Sequence, residues 1–388
     1  MSLIFLYVLE EAMSDIQIQL RSIIHEDLSL EITLVKDKIP TPGPNEVLVQ
    51  LQAAPINPSD MLLLFGPVDP NSIAVTNGSE GPVVSGRIFD GARDMIHNRI
   101  GQSMSVGNEG AGLVVEAGES EEAQSLKGKT VGVFGGGMYS QYRCVNARQC
   151  LPLKDGISAV QGASCFVNPM TALGMVETMR MEGHSALVHT AAASNLGKML
   201  NRICISDKID LVNIVRSEAQ KSLLDQEGSQ HTIDSSEGQF RGELIDALSS
   251  TGATLAFDAV GGGKLAGQIL ACMEAAAQSN STGYSPYGSD INKQVYIYGG
   301  LDLSPTVLNR NFGLSWSIGG WLLMSFMVRA GEELVTAMKT RVADEITTTF
   351  ASSYAREVSL TEALSPDVIA LYSKRSTGEK ILIKPNAG

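Results

Sequence analysis

Two kinds of hydrophobic pattern divide the chain. From Ile16 to about Leu151, short apolar runs alternate with turn residues, as where Glu46-Val-Leu-Val-Gln-Leu follows Pro42-Gly-Pro-Asn. Short β-rich runs bounded by glycine, proline and asparagine are typical of strands. This first part of the chain is therefore predicted to be a mostly β domain.

After Pro152 the pattern changes to apolar strands separated by helix-length segments. The predicted central strands are Ala186-Leu-Val-His-Thr, Leu211-Val-Asn-Ile-Val, Leu255-Ala-Phe-Asp and Gln294-Val-Tyr-Ile-Tyr. This alternation predicts an α/β, doubly wound domain with a parallel sheet, which binds ligands at the carboxyl ends of its strands. The predicted domains are 13–151 and 152–349, with the strand-rich tail 350–388 packing back on the first.

Three further stretches carry separate expectations. The apolar run Leu3–Leu9 has no basic leading segment or cleavage site and is too short to span a bilayer, so Met13 is expected to be the true start of the chain. The long stretch Gly66–Gly107 is an insertion or a loop that covers a site. Glycines and serines interrupt the uncharged stretch Phe312–Val328, which is predicted to be a buried helix or pocket wall rather than a membrane span.

Charge and cysteine content narrow the class of protein. The formal net charge of the 388 residues is -13, which repels polyanions and leaves no footprint for nucleic acid. The five cysteines show no C-x-x-C spacing, and their odd number argues against a complete disulfide framework. These features favour a soluble cytoplasmic protein without a nucleic-acid or membrane partner.

A candidate dinucleotide-binding turn follows the first predicted parallel strand. The chain continues from Leu187-Val-His through Thr190-Ala-Ala-Ala-Ser-Asn-Leu-Gly197 into a helical run, Lys198–Ile205. Small residues let such a turn approach a pyrophosphate, and the N–H groups that begin the helix face its negative charge. Only Gly197 matches the glycines of G-x-G-x-x-G, so the stretch taken alone is also compatible with an ordinary strand-to-helix turn.

The next strand supplies a second signal. It ends at Val215 and is followed by Arg216, roughly 20 residues after the turn, at the position that contacts the adenosine ribose. An acidic residue there would hold the hydroxyls of NAD, whereas an arginine suits the 2′-phosphate of NADP. Lys221, one helical turn later, can add positive charge. The alternative is that Arg216 is a solvated surface residue.

Several short motifs, taken in order, carry a family resemblance. They are Pro42-Gly-Pro-Asn-Glu-Val-Leu-Val, Ile56-Asn-Pro-Ser-Asp60, Gly107-Asn-Glu-Gly-Ala-Gly112, Gly128-Lys-Thr-Val-Gly132, Asn168-Pro-Met-Thr-Ala172, the Ala192–Gly197 turn and Gly378-Glu-Lys-Ile-Leu382. From about Pro42 to its end the chain resembles the medium-chain dehydrogenase/reductase superfamily, in its zinc-free, zeta-crystallin-like quinone oxidoreductase branch.

This resemblance implies an architecture and a set of cofactor contacts. A GroES-like substrate domain is made from both chain ends, a Rossmann domain is inserted between them, and homodimers pair through the Rossmann sheets. NADPH is the implied cofactor, with Lys380 closing over it from the tail. The other implied contacts are Asn57 and Thr171 for the nicotinamide half, Ser194, Asn195, Leu196 and Gly197 for the pyrophosphate, and Tyr298, Gly299, Gly300 and Leu301 for the nicotinamide edge.

Zinc is not expected. Zinc-dependent relatives place a cysteine where this chain has Asn57, and Gly-His-Glu where it has Gly107-Asn108-Glu109. Without the thiolate and imidazole, the ligand count for tetrahedral zinc is not met. The expected reaction is hydride transfer to a quinone or another α,β-unsaturated carbonyl, since a conjugated acceptor needs no Lewis acid.

Asn57 and Asp60 are the candidate catalytic residues. Asn57 either orients the nicotinamide or donates a hydrogen bond to the developing oxyanion, and Asp60 fixes the loop. Asn57-Pro-Ser-Asp60 consists of turn-forming residues, so a purely structural turn is the alternative.

Two other functions stay open. A 2-enoyl thioester reductase shares the Ala54–Asp60 run but carries a proton-donating tyrosine in a Gly-x-Tyr context, where this chain has Val68. Tyr139 or Tyr142 can serve as the donor instead. The alternative from another class is a redox-silent NADPH-binding protein with a structural or regulatory role.

Overall fold

A computed structural model of the protein describes residues 15–279, 283–373 and 380–387. Met13, the run Leu3–Leu9 and the Gly378-Glu379 part of the tail motif lie outside these ranges. The chain divides into two compact units, with residues up to 167 and from 343 onward in unit 1 and residues 168–342 in unit 2.

The strands are β1 (Ile16–Ile24), β2 (Ser29–Lys38), β3 (Glu46–Pro55), β4 (Ala74–Gly78), β5 (Gly81–Arg87), β6 (Met104–Ser105), β7 (Glu109–Ala117), β8 (Thr130–Phe134), β9 (Tyr142–Asn146), β10 (Cys150–Pro152), β11 (Ala186–Thr190), β12 (Asp210–Val215), β13 (His231–Asp234), β14 (Leu255–Asp258), β15 (Gly261–Gly263), β16 (Lys293–Ile297), β17 (Asp302–Thr306), β18 (Trp316–Gly320), β19 (Arg356–Val358) and β20 (Ile381–Ile383).

The α-helices are α1 (Asp60–Leu64), α2 (Glu121–Gln124), α3 (Ala159–Gly162), α4 (Val167–Met181), α5 (Asn195–Asp207), α6 (Glu218–Gln226), α7 (Phe240–Thr251), α8 (Leu265–Ser279), α9 (Leu323–Glu345) and α10 (Pro366–Ser373). Helix α9 is interrupted at Gly331, whose φ is 80°. Short 3-10 helices occur at Pro70–Ser72, Asp90–Ala92, His97–Arg99, Ala147–Gln149 and Glu362–Leu364.

Unit 1 contains two sheets around one core. The first has the strand order β4-β5-β2-β1-β6, and the second has the order β10-β8-β7-β3-β20-β19, with β9 also paired to β3. Alternate residues of β2, namely Leu30, Ile32 and Leu34, are buried while their neighbours are more exposed, as expected for a strand with one face on the core. The mostly β character predicted for this part of the chain is confirmed.

The tail of the chain contributes β20 to the second sheet. β20 pairs antiparallel with β3, where Leu382 lies opposite Pro55, and parallel with β19. Unit 1 also extends beyond the expected end at residue 151. The reason is that Ala159 and Ala163, in and after α3, pack in one apolar cluster with residues of β3, β7 and β20.

The stretch 66–107 is built into unit 1. It supplies the hairpin β4–β5, which extends the first sheet by pairing with β2. Arg99, which lies in this stretch, connects it to residues outside it. Its guanidinium donates to the carbonyls of Leu62 (2.8 Å) and Leu63 (2.6 Å) and to Ser22 Oγ (2.8 Å). Strands of this segment are therefore integral to the first sheet, and its expected role as a cover for a site stays a prediction.

Unit 2 is a doubly wound parallel sheet, as predicted. Its strand order is β13-β12-β11-β14-β16-β18, and every pairing in it is parallel. The four predicted strands correspond to β11, β12, β14 and β16. The strands β13 and β18 were not predicted, because β13 contains a single apolar residue, Ile233, and β18 is rich in glycine and serine.

The prediction that Phe312–Val328 forms a buried helix was wrong, while the alternative of a pocket wall stays a prediction. Phe312 is fully buried, but the stretch then forms the partly exposed edge strand β18 and the beginning of α9, where Val328 is 85% exposed. The small side chains of this stretch allow the backbone to pair with β16, so it does not form one buried helix. Within the described ranges, no helix combines the length and the apolar character that crossing a membrane requires.

Candidate functional site

A buried polar cluster lies at the end of β3 in unit 1. Asn57 follows this strand, and its backbone N–H donates to Asp60 Oδ2 (2.8 Å). The side-chain Nδ2 of Asn57 donates to Glu109 Oε1 (2.9 Å), whereas its Oδ1 is buried and accepts no hydrogen bond from the described residues. An unsatisfied buried acceptor costs about 1–3 kcal/mol, so its presence marks a place where a ligand donor would be stabilising.

Asp60, the first residue of α1, joins two loops of unit 1. Its Oδ1 accepts from the backbone N–H of Asn108 (2.8 Å), and its Oδ2 accepts from that of Asn57. The pKa of Asp60 is raised to about 7, mainly by burial and also by Glu109, while the two N–H donors act in the opposite direction. The geometry of Asp60 is that of a loop-fixing residue.

Glu109, the first residue of β7, completes the cluster. Its Oε2 accepts from the backbone N–H groups of Phe166 (2.8 Å) and Val167 (2.9 Å), in addition to the bond from Asn57 to Oε1. Three donors thus offset the desolvation of this fully buried carboxylate. Glu109 was not among the predicted site residues, although its place in the Gly107-Asn-Glu-Gly motif could have indicated it.

A second hydrogen-bonded chain lies beside this cluster. Lys380 Nζ donates to Ser164 Oγ (2.7 Å), and Ser164 Oγ is 2.8 Å from Tyr354 Oη. Lys380 Nζ also lies 5.9 Å from the centre of the Tyr354 ring. Burial lowers the pKa of Lys380, while the nearby Glu109 and Asp60 carboxylates raise it. Neither Ser164 nor Tyr354 has a local sequence signal, because the three residues meet only through the fold.

The two tyrosines considered as proton donors both have partners in unit 1. Tyr139 is buried, and its Oη donates to the Pro55 carbonyl (3.1 Å). Its ring packs against Gly107, which has a φ of 95° and where a Cβ would lie 2.6 Å from the ring. Tyr142 Oη accepts from Gln50 Nε2 (3.1 Å).

No group of three or more histidine, cysteine, aspartate or glutamate side chains is arranged to hold a metal ion in the part of the chain that the structure describes. At the positions where zinc-dependent relatives hold their metal, the groups present are the Asn57 amide, the Asn108 amide and the Glu109 carboxylate. Asn108 Nδ2 donates to Ser59 Oγ (3.1 Å). These groups are bonded to one another and to neighbouring residues rather than arranged as a set of free ligands.

The strand-to-helix turn of unit 2 connects β11 to α5. Ala191 has a φ of 51°, in the left-handed region, and Ala192 N–H donates to the Ile214 carbonyl of β12 (3.2 Å). Ser194 is the N-cap of α5, where its Oγ accepts from Gly197 N–H (3.1 Å). Asn195 and Leu196 form the first turn of this 13-residue helix. The turn therefore lies at the carboxyl edge of the parallel sheet.

Gly197 is required by close packing. A Cβ at this position would lie 2.1 Å from the Ala192 carbonyl oxygen, a separation that no side chain tolerates. Dinucleotide-binding turns use a glycine at the start of the helix for the same close approach of helix and strand.

Arg216 directly follows β12. It is exposed, its backbone N–H donates to Gln220 Oε1 (3.2 Å), and its guanidinium forms no ion pair with a described residue. Lys221 differs, because its Nζ lies 3.9 Å from Glu243 Oε2. Of the two predicted cations, Arg216 is the one whose charge is available to a ligand.

The other predicted cofactor contacts of unit 2 lie on α4 and after β16. Thr171 is a buried residue of α4. Tyr298 Oη is 2.7 Å from Nε2 of the fully buried His189, and burial lowers the pKa of His189 to about 3. A Cβ on Gly299 would lie 2.7 Å from the Ala259 carbonyl oxygen, whereas Gly300 and Leu301 are exposed.

Comparison with known proteins agrees with this architecture. Residues 43–155 match the alcohol dehydrogenase GroES-like domain family. A mitochondrial enoyl-acyl-carrier-protein reductase of Caenorhabditis elegans is 28% identical over 240 residues, which are 60% of each chain. A quinone oxidoreductase of Pseudomonas aeruginosa is 26% identical over 164 residues, 42% of this chain and 50% of that protein. The chain thus spans about 60% or less of the curated relatives named here.

Solved structures share the fold over nearly the whole length. A protein of Mesorhizobium loti, described as a candidate NADPH:quinone reductase, has a TM-score of 0.71 at 24% identity and covers 96% of this chain and 99% of its own. The complex of Etr1p with NADP and crotonyl-CoA has a TM-score of 0.65 at 18% identity and covers 95% of this chain and 100% of its own. Residues 43–155 thus have the GroES-like domain of the alcohol dehydrogenases, and the resemblance to the medium-chain dehydrogenase/reductase superfamily predicted from the motifs is confirmed, with its quinone oxidoreductase branch represented among the proteins that the chain resembles.

Proposed function

We propose that the protein is an NADPH-dependent oxidoreductase that transfers a hydride to a quinone or another α,β-unsaturated carbonyl without a metal ion. The observation that carries the proposal is the β11–turn–α5 unit with Arg216 beside it. A fold alone does not establish a reaction, so the proposal depends on the chemistry of these residues.

The residues of unit 2 fit a dinucleotide phosphate. Ser194, Asn195, Leu196 and Gly197 begin a helix at the carboxyl edge of the sheet, where N–H groups and the helix dipole stabilise a pyrophosphate. Arg216 offers a planar fork to the 2′-phosphate, whereas Glu243 offsets much of the charge of Lys221. When bound, NADPH supplies the hydride. Thr171, Tyr298, Gly299, Gly300 and Leu301 are the proposed contacts of its nicotinamide half.

The orientation of the Asn57 amide favours one of its two expected roles. Because Nδ2 donates to Glu109, the atom left for a ligand is the acceptor Oδ1. An acceptor binds N–H donors such as the carboxamide of nicotinamide, and it repels a developing oxyanion. We therefore propose that Asn57 orients the cofactor rather than stabilises the transition-state oxygen, and that Asp60 holds the loop in place.

In this proposal the reaction needs no zinc, because the cluster of Asn57, Asn108 and Glu109 does not offer a set of zinc ligands. Both oxygens of Glu109 already accept hydrogen bonds, and neither Asn57 nor Asn108 supplies the thiolate or imidazole that zinc prefers. A conjugated acceptor spreads the incoming negative charge to its own oxygen, so this chemistry proceeds without a Lewis acid.

A coupled NADPH-oxidation assay after treatment with a chelator tests the proposal. Purified protein is expected to consume NADPH with a quinone, an enone or a 2-enoyl thioester. A strict need for added zinc would refute the metal-free mechanism. Saturable NADPH binding without turnover on any acceptor would favour the redox-silent alternative.

The 2-enoyl thioester reductase is the second candidate for the same site. The similarity to the enoyl-acyl-carrier-protein reductase of Caenorhabditis elegans supports it. The packed Val68, where such enzymes carry a tyrosine, stands against it. A preference of at least tenfold in kcat/KM for a 2-enoyl thioester over quinones would decide in its favour.

Homodimer formation through unit 2 is part of the proposal. β18 ends the strand order of the parallel sheet, and Leu314 and Leu322 on either side of it are 72% and 63% exposed. An exposed strand edge flanked by apolar side chains is a surface for pairing with a second copy. Light scattering is expected to show a dimer that Leu322→Glu weakens, while Met95→Glu, at an exposed residue of unit 1, leaves it intact.

A cytoplasmic location, favoured by the five free cysteines, is also proposed.

A further inference from the structure

We propose that Tyr354 is the proton donor of the reaction, and that Ser164 and Lys380 relay protons to it. The inference rests on the proposed function above and adds the acid that protonates the α-carbon when an enone is reduced. It supplies what the missing Gly-x-Tyr tyrosine would have done, from another part of the chain.

The first argument is geometric. Lys380 Nζ donates to Ser164 Oγ over 2.7 Å, which leaves the Ser164 hydroxyl proton free to be donated to Tyr354 Oη at 2.8 Å. With that polarity Tyr354 Oη accepts from Ser164, and its own hydroxyl proton is not used in this chain of hydrogen bonds. The ammonium group of Lys380 also lies 5.9 Å from the centre of the Tyr354 ring.

The second argument is position. The antiparallel pairing of β20 with β3 places Leu382 opposite Pro55, and Ile56 N–H donates to the Ile381 carbonyl (2.9 Å). Lys380 and Asn57 are the next residues along these two strands, so their backbones are neighbours, and the Lys380 ammonium interacts electrostatically with Glu109 and Asp60 of the Asn57 cluster. Ala355 N–H donates to the Lys380 carbonyl (2.8 Å), which holds Tyr354 next to Lys380.

The third argument concerns the hydrogen-bond partners of the candidate tyrosines, since Tyr354 Oη is bonded to Ser164 Oγ, which in turn accepts from the Lys380 ammonium. Tyr139 donates to the Pro55 carbonyl, and Tyr142 accepts from Gln50. Tyr354 is only partly buried, in contrast to Tyr139, and its hydroxyl is joined to a cation through one hydroxyl group. Burial raises the pKa of Tyr354, which keeps the phenol protonated at neutral pH.

In the proposed step, Tyr354 protonates the enolate that hydride transfer produces. An enone that has received a hydride at its β-carbon becomes an enolate. The O–H bond of Tyr354 breaks, and a C–H bond forms at the α-carbon of the enolate. The phenolate then takes the hydroxyl proton of Ser164, Ser164 takes a proton from the Lys380 ammonium, and the Lys380 amine takes one proton (H⁺) from bulk solvent. The overall reaction consumes one enone, one NADPH and one proton and releases the saturated carbonyl and NADP⁺.

The test compares three variants with the wild-type protein, using 2-methyl-2-cyclohexenone as the probe. Tyr354→Phe is expected to lower kcat at least 100-fold, in the range of general acid catalysis, with KM changed less than threefold. Ser164→Ala and Lys380→Met are expected to lower kcat at least tenfold. Tyr372→Phe is the matched control, because its buried hydroxyl is 3.4 Å from the Ala363 carbonyl and takes no part in the relay, and its kcat is expected to stay within twofold.

Two further measurements separate a relay from a structural effect. The wild-type protein is expected to give one enantiomer of 2-methylcyclohexanone in excess, and Tyr354→Phe a nearly racemic product, because water then protonates both faces of the enolate. The dissociation constant for NADPH, from fluorescence titration, is expected to stay within twofold in all variants.

The relay would be overturned if Tyr354→Phe kept more than half of the wild-type kcat and the same enantiomeric excess. If Tyr354→Phe does not fold, the same criterion applies to Ser164→Ala. It would also be overturned if Lys380→Met weakened NADPH binding in proportion to its loss of kcat, since Lys380 would then be a cofactor contact. A wild-type protein inactive on every acceptor would instead overturn the proposed function, and the relay with it.

Discussion

The side-chain amide of Asn57 donates to the carboxylate of Glu109 over 2.9 Å, and both groups are buried. This bond determines which end of the amide is left for a ligand. The acceptor Oδ1 remains unsatisfied, whereas the donor Nδ2 is used. The proposed role of Asn57 therefore depends on a second residue, in another strand, that never needs to contact the ligand.

Glu109→Gln tests this dependence. The substitution replaces one of the acceptors of Asn57, Phe166 and Val167 with an NH₂ group, so at least one buried donor loses its partner. The free energy of unfolding is expected to fall by about 1–3 kcal/mol, measured by urea denaturation. NADPH affinity is expected to fall as well, because the Asn57 amide is no longer held in one orientation.

The control for this change is Glu116→Gln, an exposed glutamate on the same strand β7. It is expected to change stability by less than about 0.5 kcal/mol. Equal stability and equal NADPH affinity in Glu109→Gln and the wild-type protein would contradict the role assigned to Glu109.

Arg216→Ala is expected to weaken NADPH binding at least tenfold and to leave NADH binding nearly unchanged. A charge-assisted bond to the 2′-phosphate contributes about 1.5–3 kcal/mol, and 1.4 kcal/mol corresponds to a factor of ten. Lys221→Ala is the comparison, with an expected loss of less than threefold, because Glu243 lies 3.9 Å from its ammonium group. Titration calorimetry with both coenzymes measures the difference, and equal losses for NADPH and NADH would exclude the assignment of Arg216.

Gly197→Ala tests the turn between β11 and α5. The added Cβ would lie 2.1 Å from the Ala192 carbonyl oxygen, so the helix must move away from the strand. We expect a loss of about 1–3 kcal/mol in stability, together with a clear loss of NADPH affinity. Gly242→Ala is the matched control in helix α7, where a Cβ meets no atom within 4 Å, and it is expected to be neutral or stabilising. Similar NADPH affinities in the two variants would argue against the turn as a cofactor site.

The buried ion pair between Lys293 and Glu274 predicts a pH dependence of stability in unit 2. The atoms Nζ and Oε2 are 2.6 Å apart, and both side chains are almost fully buried. Although burial raises it, the hydrogen bonds from Lys293 and Ser289 lower the pKa of Glu274 from 4.5 to about 2. A lowered carboxylate pKa stabilises the fold above the unfolded-state pKa, and this stabilisation is lost as the pH falls from about 4.5 towards 2.

Lys293→Met is therefore expected to cost about 3–5 kcal/mol at neutral pH, because it leaves a buried carboxylate without its cation. The difference in melting temperature from the wild-type protein is expected to shrink as the pH is lowered through this range. Lys36→Met is the control, since the ion pair of Lys36 with Glu80 is more than half exposed and contributes little. A cost for Lys293→Met that did not change with pH would show that packing, and not charge, dominates.

Local patterns were sufficient for much of unit 2 and for its proposed cofactor turn. Strands β11, β12, β14 and β16 were predicted because each is a short, mostly apolar run separated from the next by a helix-length segment, as expected for the strands of a parallel sheet. The positions of Gly197 and Arg216 could be predicted because they depend on short distances along one strand–turn–helix unit. Strand β18 was missed because its glycines and serines carry no strand pattern, and only its pairing with β16 makes it a strand.

The sequence by itself thus determined the alternation of strands and helices, the turn after β11 and the arginine after β12, because these depend on neighbouring residues. Only the tertiary structure decided which polar groups meet. Asn57 and Glu109 are 52 positions apart, Ser164 and Tyr354 are 190 apart, and Lys380 reaches Ser164 across 216 positions. The physical reason is that such contacts depend on the register between distant strands, above all of β20 against β3, and the periodicity of any one segment does not contain that register.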